Sequence, residues 1–105
     1  MYCPDRWCLI HIKDHYRVFG SWHGGYAQGD SWRMNSGIVR HERTGNGYNF
    51  YGTSGSLYSC GDHNYGTTTY GHSVLESYKA EDNCGIFKVL TFEEAIEVID
   101  KGDWE

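Results

Sequence analysis

A chain of 105 residues has room for one hydrophobic core, so a single domain over residues 1–105 is predicted. Fourteen glycines, nine tyrosines, four tryptophans and one proline exclude a disordered chain and a helical bundle, and point to strands joined by shaped turns. The net charge of -5 is uneven, because residues 1–75 hold six Arg or Lys against five Asp or Glu while residues 76–105 hold three Lys against nine acidic residues; that acidic end argues against a general binder of nucleic-acid backbones.

The first residues, MYCPDRWCLIHIKDH, lack the cationic start, apolar run and small-residue cleavage site of a secretory leader. No segment approaches the roughly 18 apolar residues of a membrane helix. A cytoplasmic protein without a membrane partner is expected, with Cys3, Cys8, Cys60 and Cys84 reduced.

Residues 7–12 alternate Cys8, Ile10 and Ile12 with Trp7, Leu9 and His11, and the β-branched isoleucines suit a strand. Lys13, Asp14 and His15 make a polar turn, and residues 16–22 return with Tyr16, Val18 and Trp22 on one face and Arg17 and Phe19 on the other, forming a hairpin. Residues 19–38 interrupt this pattern with two Ser-Trp pairs among Gly20, Gly24, Gly25 and Gly29. Glycine permits sharp bends and close approach, while Trp offers rigid contact area with one polar atom, a combination suited to a binding surface.

Residues 31–43 are too long for one regular strand, and a bulge or kink is expected at Gly37. Thr44-Gly45-Asn46-Gly47 is a hairpin turn whose Asn-Gly pair tolerates positive φ. Residues 48–51 and 56–60 follow as strands around a turn at Thr53-Ser54-Gly55. After a polar loop, Val74, Leu75 and Tyr78 fall at helical spacing and predict a helix over 69–81. Residues 86–90 form a short strand able to shield a sheet edge. Thr91 and Glu94 then make a capping box for a helix whose apolar stripe is Phe92, Ala95, Ile96 and Ile99, ending near Lys101-Gly102. The fold class is therefore α+β: an antiparallel sheet of about five strands in the first two thirds, with two helices in the C-terminal third.

For chemistry, Cys3, Cys8, Cys60, His63 and Cys84 have the wrong spacing for structural zinc, which uses two close pairs, so no metal and no cofactor are expected. No nucleophile elbow or phosphate loop is present in the sequence. Asp62, His63 and His72 are the best acid–base candidates, and a small hydrolase or metal-dependent enzyme using them is the alternative reading.

The leading reading is a non-enzymatic binding protein, because Tyr, Ser, Gly and Asn with occasional Trp and Arg is the vocabulary of adaptable contact surfaces. Its surface is expected from residues 20–30 and 61–67, with Trp22, His23, Tyr26, Asp30, Trp32, Arg33, Asp62, His63 and Tyr65 as binding residues. Trp22 or Tyr26 stacking on a base with Arg33 on a phosphate would suit a nucleotide-type ligand. Open sheet edges with little proline protection predict a homodimer.

The stretch GSWHGGYAQGDSWRMNSGI, followed by GTSGSLYSC, resembles pieces of small uncharacterised accessory proteins of tailed bacteriophages. That resemblance implies a protein that modulates a host factor, or blocks a defence system, by binding it. It carries no functional residue across.

Overall fold

The computed structural model describes residues 1–24 and 30–104. In chain order the elements are β1 (Arg6–Ile12), β2 (His15–Trp22), β3 (Ser31–Met34), β4 (Ile38–Arg43), β5 (Gly47–Gly52), β6 (Leu57–Gly61), α1 (Thr69–Glu81), β7 (Phe87–Val89) and α2 (Phe92–Lys101). The expected antiparallel α+β class holds, but its strands divide into two sheets, ordered β3-β2-β1-β7 and β4-β5-β6.

The predicted meander is the path β1 to β6, with its long third strand folded into β3 and β4. The corner is made by Asn35 and Gly37. Asn35 is buried and uses its Oδ1 to accept from the Val18 amide at 2.9 Å, holding β3 to β2 up to the corner. Gly37 has φ 135°, a conformation disfavoured for residues with a Cβ, and the β4–β5 register shifts immediately after it. The expected kink is therefore present, and it sends one strand from the first sheet into the second.

β1 is buried on both faces, which explains its two apolar rows. Trp7 and Leu9 join Val18, Phe50, Tyr58, Ala95 and Ile99 in the larger core, between the two sheets and α2. Cys8 and Ile10 join Phe19 and Leu75 in a smaller core beneath α1. β7 pairs antiparallel with β1 and covers part of its edge, as expected for that segment.

The chain ahead of β1 ties the sheets together. The Tyr2 amide donates to Leu57 O, and the Ser59 amide donates to Tyr2 O, each at 2.8 Å. On the far side of Trp7, its amide donates to Asn64 O at 3.2 Å and its carbonyl accepts from the Gly66 amide.

Both helices occupy the predicted spans. Thr68 caps α1 by accepting from the Gly71 amide, and the capping box of Thr91 and Glu94 starts α2, which ends on Gly102 at φ 63°. The β4–β5 turn departs from expectation. Thr44 donates its amide to Gly47 O, so Gly45 and Asn46 form the tip, and none of these residues has positive φ. The turn needs Gly47 for close approach instead, because a Cβ there would lie 1.9 Å from the Cys60 carbonyl oxygen.

Candidate binding surface

Gly20, expected in the glycine loop, is a buried position of β2, where an added Cβ would meet Pro4 Cβ at 3.0 Å. A side chain here would push away the N-terminal segment that crosses β2. With Gly20 in place, Trp22 at the strand end donates its Nε1 to Cys3 O at 3.0 Å and meets the Tyr2 ring edge-on, centroids 6.4 Å apart. Tyr2 packs in turn against Tyr58 of β6, and the Arg33 guanidinium of β3 lies 4.6 Å above the Tyr2 ring. Arg33 remains exposed while making this contact.

Asp5 gathers the two predicted loops. Its carboxylate accepts from the His23 amide at 2.8 Å, while its carbonyl accepts from Asn64 Nδ2 at 3.0 Å. Asp30 Oδ1 accepts from the Gly24 amide at 2.8 Å, closing the described stems of the first loop. Arg6 donates to Tyr65 O at 2.9 Å and fixes the second loop on the same segment. Segments some 40 residues apart in sequence thus meet on residues 2–6, with His23, Gly24, Arg33 and His63 exposed around them.

The other predicted binding residues lie elsewhere. Trp32, one register position from Arg33, is on the α1 side of the sheet, stacked on Phe19 with centroids 5.4 Å apart and edge-on to Tyr78. Tyr65 is an internal strut: its hydroxyl accepts from the Leu9 amide at 3.0 Å and donates to Leu90 O at 2.8 Å, and burial pushes its phenol pKa up. Tyr26 lies outside the described residues. The contributors that sequence reasoning missed are Tyr2, Asp5 and Asn64, which have no periodicity or motif and acquire their roles only through long-range contacts.

The acid–base candidates are engaged separately. Asp62 accepts from both terminal nitrogens of Arg43, one of them at 2.8 Å, and Arg43 also lies over the Tyr48 ring at 4.7 Å. His72 faces Glu76 at 3.6 Å on α1, and His63 is exposed. Among the described residues, no hydrogen bond or ion pair joins Asp62, His63 and His72 to one another. Cys8 and Cys60 are buried, and burial raises the Cys8 thiol to about 12, while Cys3 and Cys84 are exposed. Among the described residues, no three His, Cys, Asp or Glu side chains converge as a metal site.

Hydrogen bonding to Arg43 lowers the Asp62 pKa, the Phe87 amide lowers that of Asp82, and Lys88 with the Thr91 amide lowers that of Glu94. A carboxylate depressed in the folded state contributes stability above its unfolded value, about 4, and loses it as pH falls through the folded value. The urea midpoint should therefore hold from pH 7 to about pH 5 as far as these carboxylates are concerned, then fall below about pH 4. Asp82→Asn should flatten that acid limb; an unchanged limb would remove Asp82 from the account.

No family model, curated protein or solved structure matches this chain.

Proposed function

We propose that this chain is a small binding protein that engages another protein through the surface around Tyr2, Asp5, His23 and Arg33. The observation that carries the reading is the convergence of two loops on one N-terminal segment, tied through Asp5 and Asn64 and carrying an exposed arginine on an aromatic ring. Rings and arginine anchor protein interfaces, and a surface braced from beneath loses little freedom on binding. In keeping with the resemblance to phage accessory proteins, the partner is a host protein that is modulated or blocked by this contact. The expected homodimer belongs to the same proposal: self-pairing along β3 would use the strand that carries Arg33, so partner and second copy would compete.

Capture from bacterial lysate, followed by cross-linking mass spectrometry, tests this. Arg33→Glu should reduce capture of the specific partner at least about tenfold, the effect of losing one anchor of about 1.4 kcal/mol, whereas Glu93→Arg on α2 should leave it intact. Equal capture by both variants, or cross-links confined to α2, would overturn the reading. The exposed Arg33 also favours a second reading, a nucleotide whose phosphate meets the guanidinium. A nucleotide at 100 times its Kd should stabilise the fold by about 2.7 kcal/mol; no thermal shift at millimolar nucleotide removes that option.

A further inference from the structure

Beyond the α2 cap at Gly102, the chain turns inward and buries Trp104, which is 5% exposed. Its indole enters a frame of three rings, each nearly perpendicular to it: His41 at 5.4 Å, Tyr16 at 5.8 Å and Phe50 at 6.0 Å between centroids. These rings come from β4, β2 and β5, so Trp104 fills the gap where β4 leaves β2 after the corner. Its Nε1 donates to His41 Nδ1 at 3.0 Å.

An indole nitrogen can only donate, so this bond requires a lone pair on Nδ1 and places the imidazole proton on Nε2. We propose that His41 and Trp104 form a proton-operated latch that holds the segment after α2 across the gap between β2 and β4 and lets go when His41 is protonated. Protonation turns Nδ1 into a donor aimed at another donor, so the Trp104 bond is lost.

Among the described residues His41 has no ion-pair partner. From β5, Tyr48 and Phe50 face His41, with Arg43 on Tyr48; from β2, Tyr16 faces Trp104, with His11 of β1 stacked on Tyr16; Arg40 and Glu42 flank His41 along β4, and Lys101 and Asp103 lie near Trp104 in the chain. The histidine ion pairs among the described residues are those of His15 and His72. Release would bare the Phe50 and Tyr16 rings beside a cleft of about 470 Å3, lined by His11, Lys13, Tyr16, Val98, Lys101 and Asp103, and so would join the cleft to an apolar extension.

The full chain, labelled with 15N and titrated from about pH 8 to pH 5, tests the latch. The Trp104 indole N–H signal should move in step with the His41 ring nitrogens, and the protection of that N–H from solvent exchange should be lost as His41 is protonated. His41→Gln keeps an acceptor that does not titrate here, so its Trp104 should stay protected throughout, with retention of the other backbone signals reporting the fold. A Trp104 signal that ignores His41 protonation, or His41→Gln releasing Trp104 with the wild-type pH profile, would overturn the latch.

Discussion

Trp7→Ala should leave the chain without a cooperative unfolding transition at 25 °C. Trp7 is fully buried and meets Tyr65, Phe50 and Tyr48 with centroids 4.8, 5.5 and 6.3 Å away, so one side chain joins the loop after β6 to the second sheet. Its Nε1 also donates to Gly61 O at 2.7 Å, fixing the end of β6. Truncating a buried tryptophan costs about 3–5 kcal/mol, and losing the bond to the half-buried Gly61 carbonyl adds about 1 kcal/mol. Domains of this size are stable by about 5–15 kcal/mol in all, so the substitution consumes most of the margin. Trp7→Phe keeps a ring and loses the Gly61 bond, and should retain a transition at a lower urea midpoint. A melting temperature for Trp7→Ala within a few degrees of wild type would show that the aromatic junction does not hold the sheets together.

Local signals were the legible ones. The α2 cap lies within four residues of sequence, and the spacing of Val74, Leu75 and Tyr78 likewise set the span of α1. The division into two sheets was hidden because a strand that bends at Asn35 and Gly37 reads as one long irregular strand until β2 is seen holding only its first half. Burial of both β1 faces was written in its two apolar rows, yet one row alone would suffice for a half-covered sheet.

The proposed binding surface was half legible for the same reason. Trp22, His23, Asp30 and Arg33 stood out by residue type beside glycines, whereas Asp5 looks like any surface acid until its two ends are found bonded to His23 and Asn64. Trp32 shows the limit of residue type. It belongs to the same Ser-Trp phrase as Trp22, but strand alternation places it beside Arg33 in sequence and across the sheet in space.

The two glycines of the β4–β5 turn should respond in opposite directions to the same substitution. Gly45 sits at the tip with nothing within 4 Å of an added Cβ and without positive φ, so Ala there only restricts the unfolded chain. Gly45→Ala should be neutral or stabilise by up to about 1 kcal/mol. At Gly47 the new Cβ would lie 1.9 Å from Cys60 O, 2.8 Å from Cys60 C and 2.9 Å from Gly61 Cα. All three are backbone atoms of β6, so no side-chain rotation relieves the clash and the Gly47–Gly61 pairing must open. Opening it also displaces Gly61 O from Trp7 Nε1, and Gly47 O from the Thr44 amide and the Arg43 guanidinium. Overpacking typically costs about 1–3 kcal/mol, and this site adds those broken bonds, so Gly47→Ala should lose about 3 kcal/mol or more. For a chain of this length that lowers the melting temperature by about 12 °C or more. Thermal melts of the two variants decide it: if Gly47→Ala melts with Gly45→Ala, the close approach of β5 to β6 is not what the second glycine provides.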